Sequence, residues 1–238
     1  MSQNRLVKKI AELKSMKILG IETSVKSGSL ALIEGEDIVT RADIDTRLNH
    51  SARLIPVLND LLEMAGWGID DLDGVGVGLG PGSFTGIRVG LAAGQGIAFG
   101  TSIPLAGIGS SQAMVQGSSA PDGPVVTLLD AGRGRVYGAG YRKSGDDVEE
   151  TIPPLLVSSG EIEALCRFAW IVTPQWDEWK KKAESWDIPG GENGSPQAQW
   201  VAILAWKKLR ANPLDEIETA SPIYLSQYWN NQKKVSSN

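Results

Sequence analysis

From Gly74 to Gly80 every second residue is glycine, with Val75, Val77 and Leu79 between them. Alternate side chains of an extended chain point to opposite faces, so the run predicts a β-strand with one apolar face and one face bare of side chains. A bare strand face inside a fold marks a place where another part of the molecule comes very close. The strand is followed by Pro81-Gly82-Ser83-Phe84-Thr85, by an apolar stretch that predicts a helix over about residues 85–99, and by a short strand over residues 103–108.

Three strand-like runs precede this unit, at residues 17–24, 28–34 and 38–43, with turn-forming Glu34-Gly35-Glu36-Asp37 between the last two. Leu54, Val57, Leu58, Leu61, Leu62 and Ala65 then recur at steps of three and four, an amphipathic helix whose Pro56 belongs in its first turns or kinks it. The second half repeats the order more loosely. Strands are expected at residues 125–130, 135–141 and 170–172, and helices near 159–168 and 196–209. Residues 119–124 are turn-rich and mark a boundary. The expected organisation is an N-terminal extension at 1–15, a first lobe at 16–120 and a smaller, more divergent lobe at 121–238. Within the extension Leu6, Ile10 and Leu13 stand at helical spacing among Arg5, Lys8, Lys9 and Lys14, which reads as a short basic helix.

Composition removes several kinds of chemistry. The chain has one histidine, His50, and one cysteine, Cys166, so neither a disulfide framework nor a zinc site is expected, and Cys166 reads as a core residue. Asp70, Asp71 and Asp73 lie between a helix and a strand and read as solvated turn residues rather than a magnesium site. A net charge of -5 argues against autonomous binding to a phosphate backbone. No run of about 18 apolar residues and no signal-peptide core is present, so a membrane span is not expected and the cytoplasm is the expected location. Ser83 lacks the Gly-x-Ser-x-Gly setting of a nucleophile and reads as a helix cap. The glycines match neither Gly-x-x-x-x-Gly-Lys nor Gly-x-Gly-x-x-Gly, although a helix start after Gly82 is a place where an anion can rest.

Inside that helix Gly86, Gly90 and Gly94 fall at steps of four and form a ridge, flanked by Ala93 and Ala98. Helix-interior glycines cost about 1 kcal/mol each relative to alanine, so the ridge must make close contact in return. Its own sheet, the preceding helix or a partner's helix would each provide that contact. Trp176, Trp179 and Trp186 interleave with Lys180, Lys181 and Lys182; filling a small second lobe is favoured over stacking on RNA bases.

Residues 80–90, Gly-Pro-Gly-Ser-Phe-Thr-Gly-Ile-Arg-Val-Gly, resemble the signature segment of the TsaB (YeaZ) family, and similarity extends through residues 17–24, 50–56, 130–141 and 221–225. The resemblance implies an α/β, actin-like, ribonuclease H-like two-lobed ATPase fold, each lobe a mixed sheet with flanking helices. It implies a non-catalytic scaffold subunit that binds a TsaD-like transferase, works alongside a TsaE-like ATPase and supports threonylcarbamoylation of the tRNA adenosine next to the anticodon. The tRNA is then contacted only indirectly and no cofactor is expected; a homodimer through the same exposed helices stays open as a third alternative when the partner is absent. TsaD-type proteins carry a metal-binding His-x-x-x-His in the region resembling His50 onward; here the second position is Leu54. The chain also departs from the family at Glu22-Thr23, at Asp130-Ala131-Gly132 with Arg133 one step late, and at Ser226.

Partner contact is implied through the helices at 50–65 and 85–99, with His50, Arg53, Leu54, Val57, Leu61, Gly86, Arg88, Val89, Gly90, Ala93, Gly94 and Ile97 as the contact residues. On that basis the glycine ridge faces the partner, and Gly90→Leu would weaken pairing while leaving the fold intact. The rival expectation is an ATP-dependent phosphotransferase or a peptidase of the same fold.

Overall fold

In the computed structural model the bare face of the glycine strand is covered by a helix from far along the chain. The structure describes residues 15–45, 50–158, 160–211 and 220–225. The expected basic helix at 2–15, all but its last residue, and the departure at Ser226 lie outside them.

The chain forms two units. The first is built on a five-stranded sheet in the order β3-β2-β1-β4-β5. Its strands are β1 (Lys17–Glu22), β2 (Ser27–Glu34), β3 (Asp37–Asp45), β4 (Gly74–Gly78) and β5 (Leu105–Ile108). The first three form an antiparallel meander, and β4 and β5 continue the sheet in parallel with β1. Helices α1 (His50–Ala65) and α2 (Phe84–Thr101) complete the βαβ connections.

The second unit repeats the same order as β8-β7-β6-β9-β10, from β6 (Gly123–Gly132), β7 (Arg135–Ser144), β8 (Asp147–Val157), β9 (Trp170–Thr173) and β10 (Gly191–Asn193). It also contains α3 (Ser110–Gln116), α4 (Ile162–Cys166) and α5 (Trp176–Lys182). Two mixed sheets, each a meander followed by alternating helices and parallel strands, give the actin-like, ribonuclease H-like architecture expected from the sequence.

The unit boundaries differ from 16–120 and 121–238 in three ways. Gly80–Gly82 and residues 109–120 go with the second unit, and the helix expected to close the second lobe, α6 (Ala198–Ala211), returns to the first. The reason lies in the glycines. A side chain on Gly20 would run into the Ala198 carbonyl, and one on Gly76 would come within 2.5 Å of the Ala205 methyl. Helix α6 thus lies directly on β1 and β4, with Val201, Ala202, Ala205 and Leu209 buried. The close approach demanded by the glycine alternation is made by backbone and alanines of this helix.

On the opposite side, Leu19, Ile21, Val75 and Val77 form a core with Leu54, Leu58, Leu61 and Leu62 of α1 and Leu91 and Ala98 of α2. The second core gathers Val126, Leu128, Ile162, Cys166 and Ile171, with Trp176, Trp179 and Trp186 packed against it. Lys180, Lys181 and Lys182 are exposed. Lys182 Nζ lies 4.7 Å from the Trp179 ring centroid, and Trp186 is tilted against the same ring with centroids 6.1 Å apart. The indoles fill the lobe, as favoured from the sequence.

Candidate partner-binding surface

Helix α2 starts as a capped helix should. The Ser83 hydroxyl accepts a hydrogen bond from the Gly86 amide at 3.2 Å, satisfying one of the first-turn donors. The Ser83 amide donates to the Ser24 carbonyl at 2.6 Å, and the Thr23 hydroxyl donates to the Gly86 carbonyl at 2.7 Å. The start of α2 is therefore tied to the end of β1 from both sides. Asp71 accepts from the Gly68 amide within its own turn, and Asp73 accepts from the Lys17 amide at the start of β1.

These ties decide which way α2 faces. Gly86, Gly90 and Gly94 are all buried. A methyl on Gly86 would overlap the Thr23 carbonyl, one on Gly90 the Thr23 hydroxyl, and one on Gly94 the Val77 side chain. The ridge expected to receive a partner's helix instead receives this chain's own sheet. The expectation for Gly90→Leu is overturned with it: a leucine there has no room and disrupts the first unit rather than an interface. Leu61 is likewise a core residue, and Val57 and Ile97 are half-buried against the same core.

Four of the expected contact residues come together at one groove, although Leu54 among them is itself buried in the core. Leu54, Arg88, Val89 and Ala93 line a groove between α1 and α2 with Ile55, Phe84, Thr85 and Ala92, enclosing about 560 Å³. Phe84 is 52% exposed and Ile55 46%, and further along α2 Phe99 reaches 80%. The Arg88 guanidinium stacks on Phe84 one turn before it, 3.7 Å from the ring centroid. Arg53 is exposed on α1; for His50 the described position is that of the backbone, at the first residue of α1.

Sequence reasoning missed Ile55, Phe84, Thr85 and Ala92. Ile55 was legible, since it stands outside the i, i+3, i+4 stripe of α1, where an apolar residue faces water.

The residues present do not fit a metal ion of the TsaD type. Leu54, at the place of the second histidine, is 1% exposed and lies in the first core, with no donor atom. Among the described residues no group of three or more His, Cys, Asp or Glu side chains could hold an ion, and no helix is long and apolar enough to cross a membrane. In the second unit Asp130 accepts from the Gly132 amide at 2.7 Å, and Arg133 takes a left-handed conformation (φ 56°) in the turn between β6 and β7. The late arginine of the sequence is a turn residue.

Known proteins share both the sequence and the fold. The family model for TsaD, tRNA N6-adenosine threonylcarbamoyltransferase, matches residues 45–187, which include α1 and α2. The chain is 29% identical over 227 residues to the tRNA threonylcarbamoyladenosine biosynthesis protein TsaB of Escherichia coli (strain K12), covering 88% of this chain and 94% of that one. It is 30% identical over 138 residues to the protein of the same name from Bacillus subtilis (strain 168), covering 58% and 60%. In structure it is similar to YeaZ from Pseudomonas aeruginosa, with a TM-score of 0.71, 22% identity and coverage of 88% and 100%. A signature segment that caps and seats α2, a TsaD-type match over most of the chain, and a near full-length likeness to TsaB converge on one assignment: this chain belongs to the TsaB (YeaZ) family.

Proposed function

We propose that the chain is an accessory subunit in tRNA threonylcarbamoyladenosine biosynthesis, which binds a TsaD-type transferase through the outer face of α1 and α2 and does no chemistry of its own. The observation that carries this reading is the groove between those helices, apolar on most of its wall and edged by a half-exposed phenylalanine and a stacked arginine. Aromatic and arginine side chains around an apolar pocket are the usual centre of a protein interface. The TsaD model matches the segment holding both helices, so a TsaD-type protein has counterparts of α1 and α2, and two related faces can pair about an approximate two-fold axis. The TsaB names of relatives support the pathway. The buried Leu54 supports the absence of metal-dependent transfer. A TsaE-like ATPase completes the assembly, and a protein of net charge -5 leaves most of the tRNA contact to other subunits.

Co-purification with the TsaD-type protein of the same organism, followed by sedimentation of the mixture, tests the pairing. A single heavier species is expected, and two components sedimenting independently at micromolar concentration would refute it. Phe84→Asp should weaken the complex by roughly thirtyfold or more, because it puts a charge into an apolar contact, while the isolated chain keeps its thermal midpoint. Calorimetric titration with magnesium ATP addresses the phosphotransferase alternative: tight binding to the isolated chain would favour it.

A further inference from the structure

A cavity of about 380 Å³ belongs wholly to the second unit, within the size range of small-molecule sites. It lies at the carboxyl ends of two parallel neighbours, where β6 turns back into β7 and β9 leads on to α5. Ligands of open α/β sheets settle outside such strand ends, where the connections of adjacent strands diverge. Its wall holds two acids, Asp130 and Glu178, and two bases, Arg135 and Lys182, beside the apolar Val136 and Trp179. Asp130 and Lys182 already have contacts within the chain, the one accepting from the Gly132 amide at 2.7 Å and the other 4.7 Å from the Trp179 ring centroid. Among the described residues no ion pair joins Arg135 to Glu178, or either of them to another side chain.

A wall with two charges of each sign sorts its ligands. A phosphate-bearing ligand drawn to the bases meets Asp130 and Glu178, and a simple cation meets Arg135 and Lys182, with a like-charge penalty in each case. A ligand carrying both signs satisfies both. A guanidinium offers two parallel N–H donors to a carboxylate, and a carboxylate accepts charge-assisted hydrogen bonds from an ammonium. An α-amino acid presents both groups on one carbon and leaves its side chain free to lie on an apolar wall. We infer that this cavity binds a free α-amino acid with an apolar side chain, its carboxylate on Arg135, its ammonium on Glu178 and its side chain against Val136 and Trp179. The site uses none of the residues of the α1–α2 groove, so the inference stands or falls independently of the interface reading.

Titration calorimetry of the full chain with L-leucine, L-leucinamide and N-acetyl-L-leucine, each up to about 10 mM, tests it. Leucine should give a saturable heat. Leucinamide keeps only the positive charge and N-acetyl-leucine only the negative one, and each should bind at least about tenfold more weakly. Arg135→Met removes the partner of the carboxylate, so leucine should fall to the level of leucinamide; in Glu178→Gln it should fall to the level of N-acetyl-leucine. Arg135→Lys should recover part of the loss and keeps the test readable if methionine disturbs β7. Glu178 is exposed and Arg135 half-buried, and thermal midpoints by circular dichroism check that each variant is folded. Absence of a leucine heat from the folded wild type overturns the inference. Leucine bound within about twofold of wild type by either variant overturns the contact assigned to that residue, and by both it overturns the site. Leucinamide or N-acetyl-leucine binding as tightly as leucine overturns the zwitterion. Inorganic phosphate binding more tightly than leucine, and lost in Arg135→Met, gives the cavity to an anion and overturns the amino acid.

Discussion

Gly90→Ala and Gly96→Ala, six residues apart in α2, should move stability in opposite directions. Each removes a helix-interior glycine, which by itself favours the variant by about 1 kcal/mol. At Gly96 nothing lies within 4 Å of the added methyl, so that gain stands and the variant should be about 1 kcal/mol more stable. At Gly90 the methyl overlaps the Thr23 hydroxyl and comes within 3.3 Å of the Ile21 side chain. Thr23 is buried, and its hydroxyl donates to the Gly86 carbonyl at 2.7 Å. Turning Thr23 away leaves a buried hydroxyl unpaired at about 2 kcal/mol, and pushing α2 off β1 costs about 2 kcal/mol in packing. After the helix gain, Gly90→Ala should be destabilised by about 1 kcal/mol if one response suffices and about 3 kcal/mol if both occur. Urea unfolding followed by far-UV circular dichroism measures both, with hydrogen exchange of the α2 amides to localise the change. Gly90→Ala as stable as wild type, together with a loss at Gly96→Ala, would show that α2 turns its other face to the sheet.

Ser83→Ala removes the α2 cap and should cost about 1 kcal/mol, read from the same urea midpoints. Burial pushes the Cys166 thiol up to about 12, so thiol reagents should leave the native protein unmodified at neutral pH and label it on unfolding. The same shift has a stability consequence. The unfolded thiol ionises near its ordinary value of 9.0 while the folded one stays neutral, so this contribution is whole below pH 9 and is lost as pH rises towards 12. Tyr141, raised by burial and then by Glu150, acts with the same sign, and urea midpoints measured up this range should fall steadily.

Periodicity made β1 to β3, β6, β7 and the helices α1, α2 and α6 legible, because each has an apolar set at a clear spacing. Strand β8 was not, since Glu149 and Glu150 interrupt its apolar pattern and Pro153 and Pro154 lie inside it. Among the described residues it pairs only with β7, and proline is tolerated on such an edge strand, where one row of amides needs no partner. The glycines of β4 announced a close neighbour without saying which. Helix α6 begins about 120 residues later, and no local rule connects the two. The α2 ridge was misread for a reason visible in the chain. Ile87, Leu91 and Ala98, all buried, flank Gly86, Gly90 and Gly94 on one side of the helix. A ridge set within the apolar stripe belongs to the core, and Phe84, Arg88 and Ala92 lie on the exposed face of the helix.

That division of faces changes what the 80–90 signature does. Gly86 and Gly90 are buried and, with the Ser83 amide, seat α2 against the end of β1 through Thr23 and Ser24. Phe84 and Arg88, interspersed among them, project the other way. Because the seating residues permit no slack, with side chains excluded at three successive turns, the outward pair is held at a fixed height above the sheet and beside Leu54 and Ile55 of α1. An interface built from two helices depends on their relative placement to within about an ångström. On the interface reading proposed above, Gly86 and Gly90 of segment 80–90 would act on a partner through the geometry they impose on Phe84 and Arg88 rather than by touching it.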